Sequence, residues 1–330
     1  IDQPAAPRQT CRYPPMTTCV AQPPCIVVGL GEALYDILPT GVTLGGAPLN
    51  VAVLARQLLD RHGPPHARVA MATRVGDDDL GRGLRRELVR RGLETAAVQL
   101  DPARETGTAR VTFVDGEPRF TITADAAWDH CAADAGWMEL AIVAGAICFG
   151  TLGSRSSGSA LAIAAFLEKA GPAIRLFDAN LRDPFHSPNL IRRLCRAATM
   201  LKVNERELPL VAEALGVPPG PEADRLARLR EAAGVEAVIL TRGKAGSTIL
   251  TAAETRSAPA RLFPAAAAAD PVGTGDAFSA AVIVGRLLGW PISRILDLAS
   301  ETAGYVASQP GATPLLPPNR DSPVNGILSG

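Results

Sequence analysis

Short apolar runs alternate with amphipathic segments along most of the chain. The runs have the length and composition of buried strands, and we predict strands in residues 25–39, 68–76, 141–150, 173–180, 198–204 and 237–243. The first run, CIVVGLGEALYDILP, contains glycines that are typical of a turn, so it predicts two consecutive strands.

The segments between the runs have the spacing of amphipathic helices. We predict helices in residues 51–59, 80–92, 161–170 and 223–234, and in the apolar segment that follows Asp276. Strands that alternate with helices are typical of parallel strands joined by crossover helices. We therefore expect an α/β fold, with a doubly wound, mostly parallel sheet and helices on both of its faces.

Residues 106–124 interrupt this alternation. Their sequence, TGTARVTFVDGEPRFTITA, has two strand patterns around Asp115-Gly116, which indicates a β-hairpin. With residues 33–43, these strands predict a small β-strand lid over one end of the main sheet, where it would exclude water from a site below. An antiparallel extension of the sheet edge without a function is the alternative.

The domain organisation follows from the same patterns. Residues 1–24 contain many Pro, Gln and Thr residues and lack periodicity, so we predict a flexible N-terminal arm. Residues 25–330 are predicted to form one domain, with lid strands from about 33–43 and 106–124. A chain of 330 residues with 47% hydrophobic content is long enough to bury the core of such a domain.

The charge balance argues against two classes of partner. Lys plus Arg and Asp plus Glu are each 33, so no net positive field attracts nucleic acid or an anionic membrane. No apolar run approaches the roughly 20 residues that cross a bilayer, and no secretory signal pattern is present, which predicts a cytoplasmic protein. We expect a small-molecule ligand in a local pocket.

The cysteines show neither a disulfide framework nor a zinc site. They form no C-x-x-C pair and have no His residue at zinc-ligand spacing. We predict that all six are free thiols and that Cys148 lies in the core; the set is Cys11, Cys19, Cys25, Cys131, Cys148 and Cys195.

The segment ADPVGTGDAFSA, residues 269–280, is the strongest candidate for chemistry. Gly273, Thr274 and Gly275 precede an apolar helix, so N–H groups without intrahelical partners and the positive helix end would form an anion hole. Asp276 could accept the proton of an attacking hydroxyl group, or it could only cap the helix. From these residues alone the two interpretations are equally supported.

Two other glycine patterns fail as phosphate sites. The P-loop requires Ser or Thr after Gly-Lys, but Ala245 follows Gly243-Lys244. The dinucleotide pattern fits Gly29 and Gly31, but its third glycine position is Leu34. The glycines of residues 269–280 therefore remain the phosphate-site candidate.

Seven motifs in a fixed order resemble the PfkB, or ribokinase-like, carbohydrate kinases, and among them the fructokinases. The resemblance extends from about Ile26 to Leu316. It implies a ribokinase-like fold and transfer of a phosphoryl group from ATP to a sugar hydroxyl, with the 6-hydroxyl of fructose as the favoured acceptor. The motifs are GEALYDILP (31–39), LGGAPLNVAVLAR (44–56), GDDDLG (76–81), FDANLR (177–182), KVNERE (202–207), LTRGKAG (240–246) and DPVGTGD (270–276).

The resemblance implies roles for the catalytic and sugar-binding residues. Asp276 would be the catalytic base, with the anion hole formed by Gly273, Thr274 and Gly275. The sugar site would consist of Asp36, Gly45, Gly46, Asn50 and Arg182, since carboxylate and amide groups supply the acceptors and donors that a polyol requires. The alternatives are a surface strand acid for Asp36, a helix cap for Asn50, and a phosphate contact or a loop brace for Arg182.

The resemblance also implies a nucleotide and metal site. Asn204 and Glu207 would support the phosphates and Mg²⁺, with Glu207 acting through water, although an acid in the first turn of a helix is the alternative. Thr241, Gly243 and Gly246 would line the ATP phosphates and ribose, unless they form only a tight strand-to-helix turn. A monovalent cation such as K⁺ is implied beside Asp270, Val272 and Gly311.

The sequence departs from the family pattern at three positions and leaves other functions open. Pro271, Thr274 and Ala179 replace the usual Thr, Ala and Pro, and these changes leave the N–H groups of the anion hole in place. The alternatives are a kinase for ribose or 2-keto-3-deoxygluconate, a nicotinamide-dependent oxidoreductase, and a sugar or nucleotide sensor without activity. A homodimer through the lid strands is also predicted.

Overall fold

The computed structural model describes residues 25–38, 41–114 and 117–317. The predicted N-terminal arm, Cys11, Cys19 and the Asp115-Gly116 turn lie outside these residues. The strands, in chain order, are β1 (Ile26–Leu30), β2 (Leu34–Leu38), β3 (Gly41–Gly45), β4 (Arg68–Gly76), β5 (Val98–Asp101), β6 (Thr108–Val114), β7 (Glu117–Ile122), β8 (Ala146–Phe149), β9 (Ile174–Asp178), β10 (Met200–Asn204), β11 (Ala237–Thr241), β12 (Ser247–Thr251) and β13 (Thr255–Ala258).

The helices occupy most of the connections between strands of the main sheet. They are α1 (Ala47–His62), α2 (Asp79–Arg90), α3 (Ala135–Val143), α4 (Ser157–Lys169), α5 (Pro188–Ala197), α6 (Glu207–Ala214), α7 (Glu222–Ala233), α8 (Thr274–Leu287) and α9 (Ile292–Val306). Short 3-10 helices span Ala127–His130, Leu152–Ser154 and Gly243–Ala245. None of the described helices is both long and apolar enough to cross a membrane.

The main sheet has the strand order β13-β12-β11-β10-β9-β8-β1-β4-β5. All neighbours from β11 to β5 are parallel, and β12 and β13 add an antiparallel edge. In chain order, β4 and β5 extend the sheet on one side of β1, and β8 is then added on the other side of β1. This reversal opens a crevice beyond the carboxyl ends of β1 and β8, where ligands bind in sheets of this kind.

Two apolar layers cover the two faces of the main sheet. Val27 of β1 is fully buried in the layer that contains α1, α2, α8 and α9, whereas its neighbour Val28 is fully buried in the layer that contains α3 to α7. Successive strand residues point to opposite faces, so one strand supplies both layers. The predicted doubly wound, mostly parallel sheet with helices on both faces is confirmed.

A second, small sheet has the strand order β3-β2-β6-β7. β6 and β7 form an antiparallel hairpin, and β6 runs parallel to β2. The pair β2 and β3 and the pair β6 and β7 lie in or next to the two segments for which the sequence predicts lid strands. β3 ends at Gly45 and leads directly into α1, so the small sheet is joined to the crevice through the start of that helix.

Three sequence predictions differ from the structure. Residues 141–143 end α3 instead of starting a strand, because a continuous apolar run cannot distinguish a buried helix from a strand. The helix predicted after Asp276 begins at Thr274. The antiparallel edge formed by β12 and β13 was not predicted, since β11 is followed by a turn and a strand instead of a crossover helix.

The described cysteines agree with their prediction. Cys25, Cys131, Cys148 and Cys195 are buried and form no disulfide. Cys148 lies on β8 with a relative exposure of 1%, which confirms its place in the core.

We expect Gly304→Ala to destabilise the protein, because a Cβ atom at this position of α9 would overlap the backbone carbonyl of Arg261. Overpacking of this kind should lower the free energy of unfolding by about 1–3 kcal/mol, measured by urea denaturation. Gly158→Ala in α4 is the matched control, since the nearest atom to its Cβ would be 3.8 Å away. Equal effects of the two substitutions would contradict the close packing of α9.

Candidate active site

The starts of α1 and α8 meet at the crevice, and one hydrogen bond joins them. The Asn50 Nδ2 atom donates to the Asp276 Oδ2 atom over 2.8 Å. Gly46, the N-cap of α1, has a φ of 105°, and a Cβ atom there would lie 2.6 Å from the backbone oxygen of Glu32. Glycine at this position therefore lets the start of α1 approach the end of β1 closely.

Asp276 lies in the first turn of α8 and has a perturbed acidity. Its pKa is raised to about 6, chiefly by burial and also by the nearby Asp178 charge. The hydrogen bond from Asn50 and the charges of Lys202 and Arg182 act in the opposite direction. A carboxylate with such a pKa accepts a proton more readily than an ordinary aspartate does.

The predicted anion hole has the required backbone shape. Gly273 is the N-cap of α8 in the left-handed conformation, with φ 77°, and a Cβ atom there would overlap Ala312. Gly275 and Asp276 lie in the first helical turn, where N–H groups have no partner four residues back. The Thr274 N–H group and hydroxyl both donate to the carbonyl of Pro271, at 3.3 and 2.8 Å, so the Thr274 N–H group already has a partner within the turn.

Asp36 and Gly45 lie together on the small sheet. Asp36 of β2 pairs with Thr43 of β3, and its carboxylate packs so closely on Gly45 that any side chain at position 45 would overlap it. Burial raises the pKa of Asp36 to about 6, and the Arg182 charge opposes this shift. The structure thus brings these two sugar-site candidates together next to the start of α1.

Arg182 is an exposed cation near several acids of the crevice. Its charge lowers the pKa of Asp36, Asp276 and Glu32, although burial raises the pKa of all three. Its Nη1 atom donates to the carbonyl of Leu181 at 3.1 Å. Acids with raised pKa values that share one cation are typical of functional sites.

A buried ion pair lies below the first turn of α8. The Lys202 ammonium group donates to both carboxylate oxygens of Asp178, over 2.9 and 2.7 Å, and the Ser279 hydroxyl donates to the same carboxylate over 2.7 Å. Lys202 and Asp178 occupy the same register position on the adjacent parallel strands β10 and β9. Neither the pair nor Ser279 was predicted as part of the site.

Glu32 is a second buried acid that the sequence analysis did not select. It follows β1, has a relative exposure of 3%, and its Oε2 atom has no hydrogen-bond partner among the described residues. Burial raises its pKa to about 7, and the Asp276 charge raises it as well, against the backbone N–H groups of Glu32 and Ala47. Glu32 and Asp178 line the same small cavity at the ends of β1, β8 and β9.

Asn204 and Glu207 form a reciprocal helix cap. The Asn204 Oδ1 atom accepts from the N–H groups of Arg206 and Glu207, at 2.9 and 3.0 Å, and Glu207 Oε2 accepts from the Asn204 N–H at 2.9 Å. This is the pattern of a capping box. The other carboxylate oxygen of Glu207 accepts from the Leu181 N–H at 3.0 Å, so Glu207 also fixes the loop that carries Arg182.

The remaining nucleotide-site candidates lie farther along the same edge of the sheet. Thr241 ends β11 and pairs with Asn204 of β10, so the two residues are neighbours. Gly243 and Gly246 have φ values of 51° and 95° and belong to the tight turn that leads into β12. This turn joins two strands, in contrast to the strand-to-helix turn considered from the sequence.

Asp270 joins the candidates for the cation site. Its carboxylate accepts from the N–H groups of Val272 and Gly311, both at 2.9 Å. Within the described residues, no group of three or more His, Cys, Asp or Glu side chains is arranged to hold a metal ion.

Sequence signals for the missed residues exist. Lys202 is the single charge of the apolar strand segment ATMLKV, and Asp178 ends the strand segment AIRLFD directly after Leu-Phe; a buried charge requires a partner. Their opposite signs near the ends of two predicted strands indicate a pair. Glu32 lies inside the motif GEALYDILP, but its burial depends on the close approach of α1, which the sequence does not show.

The similarity to known proteins agrees with this geometry. The profile described as pfkB family carbohydrate kinase matches residues 39–319. The chain belongs to the pfkB family of carbohydrate kinases. It is 28% identical to the fructokinase of Klebsiella pneumoniae over 275 residues, covering 78% of this chain and 82% of that protein. It is 26% identical to the fructokinase of Escherichia coli over 315 residues, covering 87% of this chain and 95% of that protein.

Solved structures of sugar kinases share the fold, which is ribokinase-like. An uncharacterized sugar kinase from Pyrococcus horikoshii in complex with ATP superposes with a TM-score of 0.73 at 22% identity, covering 87% of this chain and 93% of that one. A candidate ribokinase II from E. coli in complex with ATP and Mg²⁺ gives 0.73 at 20% identity, covering 87% and 94%. Aminoimidazole riboside kinase from Salmonella enterica gives 0.71 at 24% identity, covering 89% and 96%.

We expect Glu32→Gln to remove a pH dependence of stability. The folded-state pKa of about 7 lies above the ordinary value of 4.5, so the stability that Glu32 contributes is fully present below pH 4.5 and is lost as the pH rises through 7. The free energy of unfolding of the variant, relative to the native protein, should therefore rise by about 2–3 kcal/mol between pH 4.5 and 8.

Urea denaturation at several pH values measures this difference. Glu231→Gln, on an exposed position of α7, controls for the loss of a carboxylate. A difference that is constant between pH 4.5 and 8 would contradict the raised pKa of Glu32.

Proposed function

We propose that this chain transfers the γ-phosphoryl group of ATP to a sugar hydroxyl, with the 6-hydroxyl of fructose as the acceptor. The hydrogen bond between Asn50 and Asp276 carries the proposal, because it joins the predicted sugar segment to the predicted phosphate segment. Membership of the carbohydrate kinase family supports the reaction class.

The reaction needs one proton acceptor and one anion site, and α8 supplies both. The hydroxyl oxygen attacks the γ-phosphorus, and the bond to the oxygen that bridges the β- and γ-phosphates breaks, so ADP leaves with the electron pair. The hydroxyl proton passes to Asp276, at Oδ1, since Oδ2 accepts from Asn50. The backbone N–H groups of Gly273, Gly275 and Asp276 stabilise the charge on the phosphoryl oxygens, and Thr274 holds the turn between the two glycines through its bonds to Pro271.

The sugar is held between the small sheet and the start of α1. Asp36 and Asn50 bind its hydroxyl groups, Gly45 and Gly46 allow close approach of the backbone, and Arg182 binds either the sugar or the phosphate. The fructokinase relatives support fructose. The similarity to aminoimidazole riboside kinase supports a ribose-type acceptor as a second candidate, and 2-keto-3-deoxygluconate is a third.

ATP binds along the carboxyl edge of the sheet, beside Asn204, Thr241, Gly243 and Gly246. Mg²⁺ neutralises phosphate charge when bound with ATP. Glu207 fits a role through water or through the loops that it holds, because both of its carboxylate oxygens accept backbone N–H groups and its relative exposure is 6%. The ATP and Mg²⁺ complexes of structural neighbours support both ligands.

The proposal also includes a monovalent cation, closure of the small sheet over the site, and a homodimer. A monovalent cation such as K⁺ would lie beside Asp270, Val272 and Gly311, which the two hydrogen bonds of the Asp270 carboxylate hold together. The small sheet acts as a lid that excludes water during transfer, and the same strands pair in a homodimer. Residues 25–330 act as one kinase domain, and the protein is cytoplasmic.

The rival nicotinamide function lacks a structural basis. A dinucleotide site requires a helix directly after the glycines of the first strand, so that the helix N-terminus meets the pyrophosphate. Here Gly29 lies within β1, Gly31 follows that strand, and Leu34 begins β2. A Cβ atom at Gly29 would overlap the carbonyl of Pro48, so the backbone surface is already covered by α1.

We expect Asp276→Asn to lower kcat by at least about a hundredfold, because the variant has no base for the hydroxyl proton. ATP and sugar should still bind within about threefold of the native affinity, measured by calorimetry. Asp297→Asn, on an exposed position of α9, is the matched control and should retain activity. Near-native turnover of Asp276→Asn would overturn the role of Asp276.

The acceptor is tested by an assay of ADP release with fructose, ribose, 2-keto-3-deoxygluconate and adenosine. We expect the highest kcat/KM with fructose. A higher value with another acceptor would replace fructose and leave the kinase function in place. Failure of every sugar and of adenosine to release ADP above the ATP-only rate would contradict the proposed reaction.

A further inference from the structure

The ammonium group of Lys202 lies close to the predicted phosphoryl site, although Lys202 belongs to a buried strand. A Cβ atom at Gly275 would lie 3.3 Å from the Lys202 Nζ atom and within 4 Å of no other atom except those of its own helix backbone and chain neighbours. The ammonium group therefore faces the first turn of α8 from below. Two of its hydrogen bonds go to Asp178, which leaves one donor of the ammonium group for this side.

The ion pair fixes the ammonium group in place. The Lys202 and Asp178 side chains are 6% and 4% exposed, and Ser279, one turn beyond Asp276 on α8, adds a hydrogen bond to Asp178. Burial lowers the pKa of Lys202, but the charge and hydrogen bonds of Asp178 outweigh it and raise the pKa overall. The lysine is thus charged and cannot move without breaking its two hydrogen bonds to Asp178.

A buried ion pair is not by itself a source of stability. Removing two charges from water costs several kcal/mol, and well-packed apolar residues are often as stable as a buried ion pair. The pair also lies at the ends of β9 and β10, next to the crevice, where a fixed charge acts on ligands through a medium of low dielectric constant.

On the basis of the kinase function proposed above, we infer that Lys202 is the fixed positive charge of the phosphoryl-transfer site. Held by Asp178 and Ser279, it stabilises the negative charge of the phosphoryl group in the anion hole and keeps Asp276 ionised. Asp178 positions the ammonium group and partly neutralises its charge.

The charged groups around Asp276 determine in which direction its pKa should change when one of them is removed. Lys202 from β10 and Arg182 from the loop after β9 favour its ionised form, as does the hydrogen bond from Asn50 of α1. Asp178 from β9 opposes ionisation, and Glu32 after β1 is a further nearby acid whose own pKa is raised by the Asp276 charge. Loss of Lys202 should therefore raise the pKa of Asp276, and loss of the Asp178 charge should lower it.

The test is a carbon-13 NMR titration of the Asp276 carboxyl group in the full chain without ligands. Labelled aspartate provides the signal, and Asp276→Asn identifies it. We expect a native midpoint near pH 6, a midpoint at least about one unit higher in Lys202→Met, and a lower midpoint in Asp178→Asn. Shifts in the same direction, or no shift in either variant, would overturn the inference.

A second buried ion pair provides the matched control. Arg155 and Asp129 are 7% and 5% exposed and are joined over 2.6 Å, away from α8. Arg155→Met and Asp129→Asn should destabilise the protein but leave the Asp276 titration unchanged. If Lys202→Met does not fold, Asp178→Asn decides alone, because a midpoint that is unchanged or higher in that variant contradicts the inference.

Kinetics separates an electrostatic role from a structural one. Lys202→Met should lower kcat by about a hundredfold and weaken the binding of MgADP, aluminium fluoride and sugar by a similar factor, while the affinity for ATP changes less than about threefold. Equal losses in ATP affinity and in kcat would indicate a structural role and overturn the inference. If the native chain phosphorylates no acceptor, the proposed function fails, while the ligand-free titration still decides the effect of Lys202 on Asp276.

Discussion

The hydrogen bond from Asn50 to Asp276 connects residues that are 226 positions apart and depends on the reversal of strand order at β1. Because the chain returns to the opposite side of β1, the starts of α1 and α8 converge over the ends of β1, β8 and β9. One helix start presents an amide and the other an acid and its N–H groups. A sheet wound in one direction only would separate these groups by the width of several strands.

The site contains several ionisable side chains that are largely buried from solvent. Asp276, Asp36 and Glu32 all have raised pKa values, and burial is the leading cause for each. Lys202, which favours the ionised form of Asp276, is buried, whereas Arg182 is exposed and lies on a loop. The acids are therefore easier to protonate than ordinary carboxylates, which suits a reaction that transfers a proton near neutral pH.

Much of the fold could be predicted from the sequence, because the spacing of apolar residues and the positions of turn residues are local properties of the chain. Six of the nine strands of the main sheet followed from apolar runs, namely β1, β4, β8, β9, β10 and β11, and the hairpin of β6 and β7 followed from alternation. The segment from Asn204 to Glu207 illustrates the limit: the family resemblance implied ligand chemistry for it, but the two residues also form a helix cap that their spacing predicts. Spacing identifies which residues act together and does not decide what they bind.

The other omissions have a common physical cause. Glu32 is buried by α1, and the Lys202 and Asp178 pair depends on the register of two strands that are separated by a helix in the chain. Such contacts are set by packing between distant segments and leave little trace in local sequence. The family motifs contain each of these residues; the charges of Lys202 and Asp178 in apolar strand segments indicate a pair, but nothing in the local sequence indicates that Glu32 is buried.

The contact between Gly273 and Ala312 has a consequence for how the protein is made. The N-cap of α8 takes its shape against a segment 39 positions later, so its backbone is supported on only one side until that segment has left the ribosome. During synthesis, the parallel sheet can assemble while the phosphate-facing turn is still incomplete. A nascent chain that ends before Ala312 would then contain the strands of the main sheet but lack the segment against which the turn at Gly273 packs.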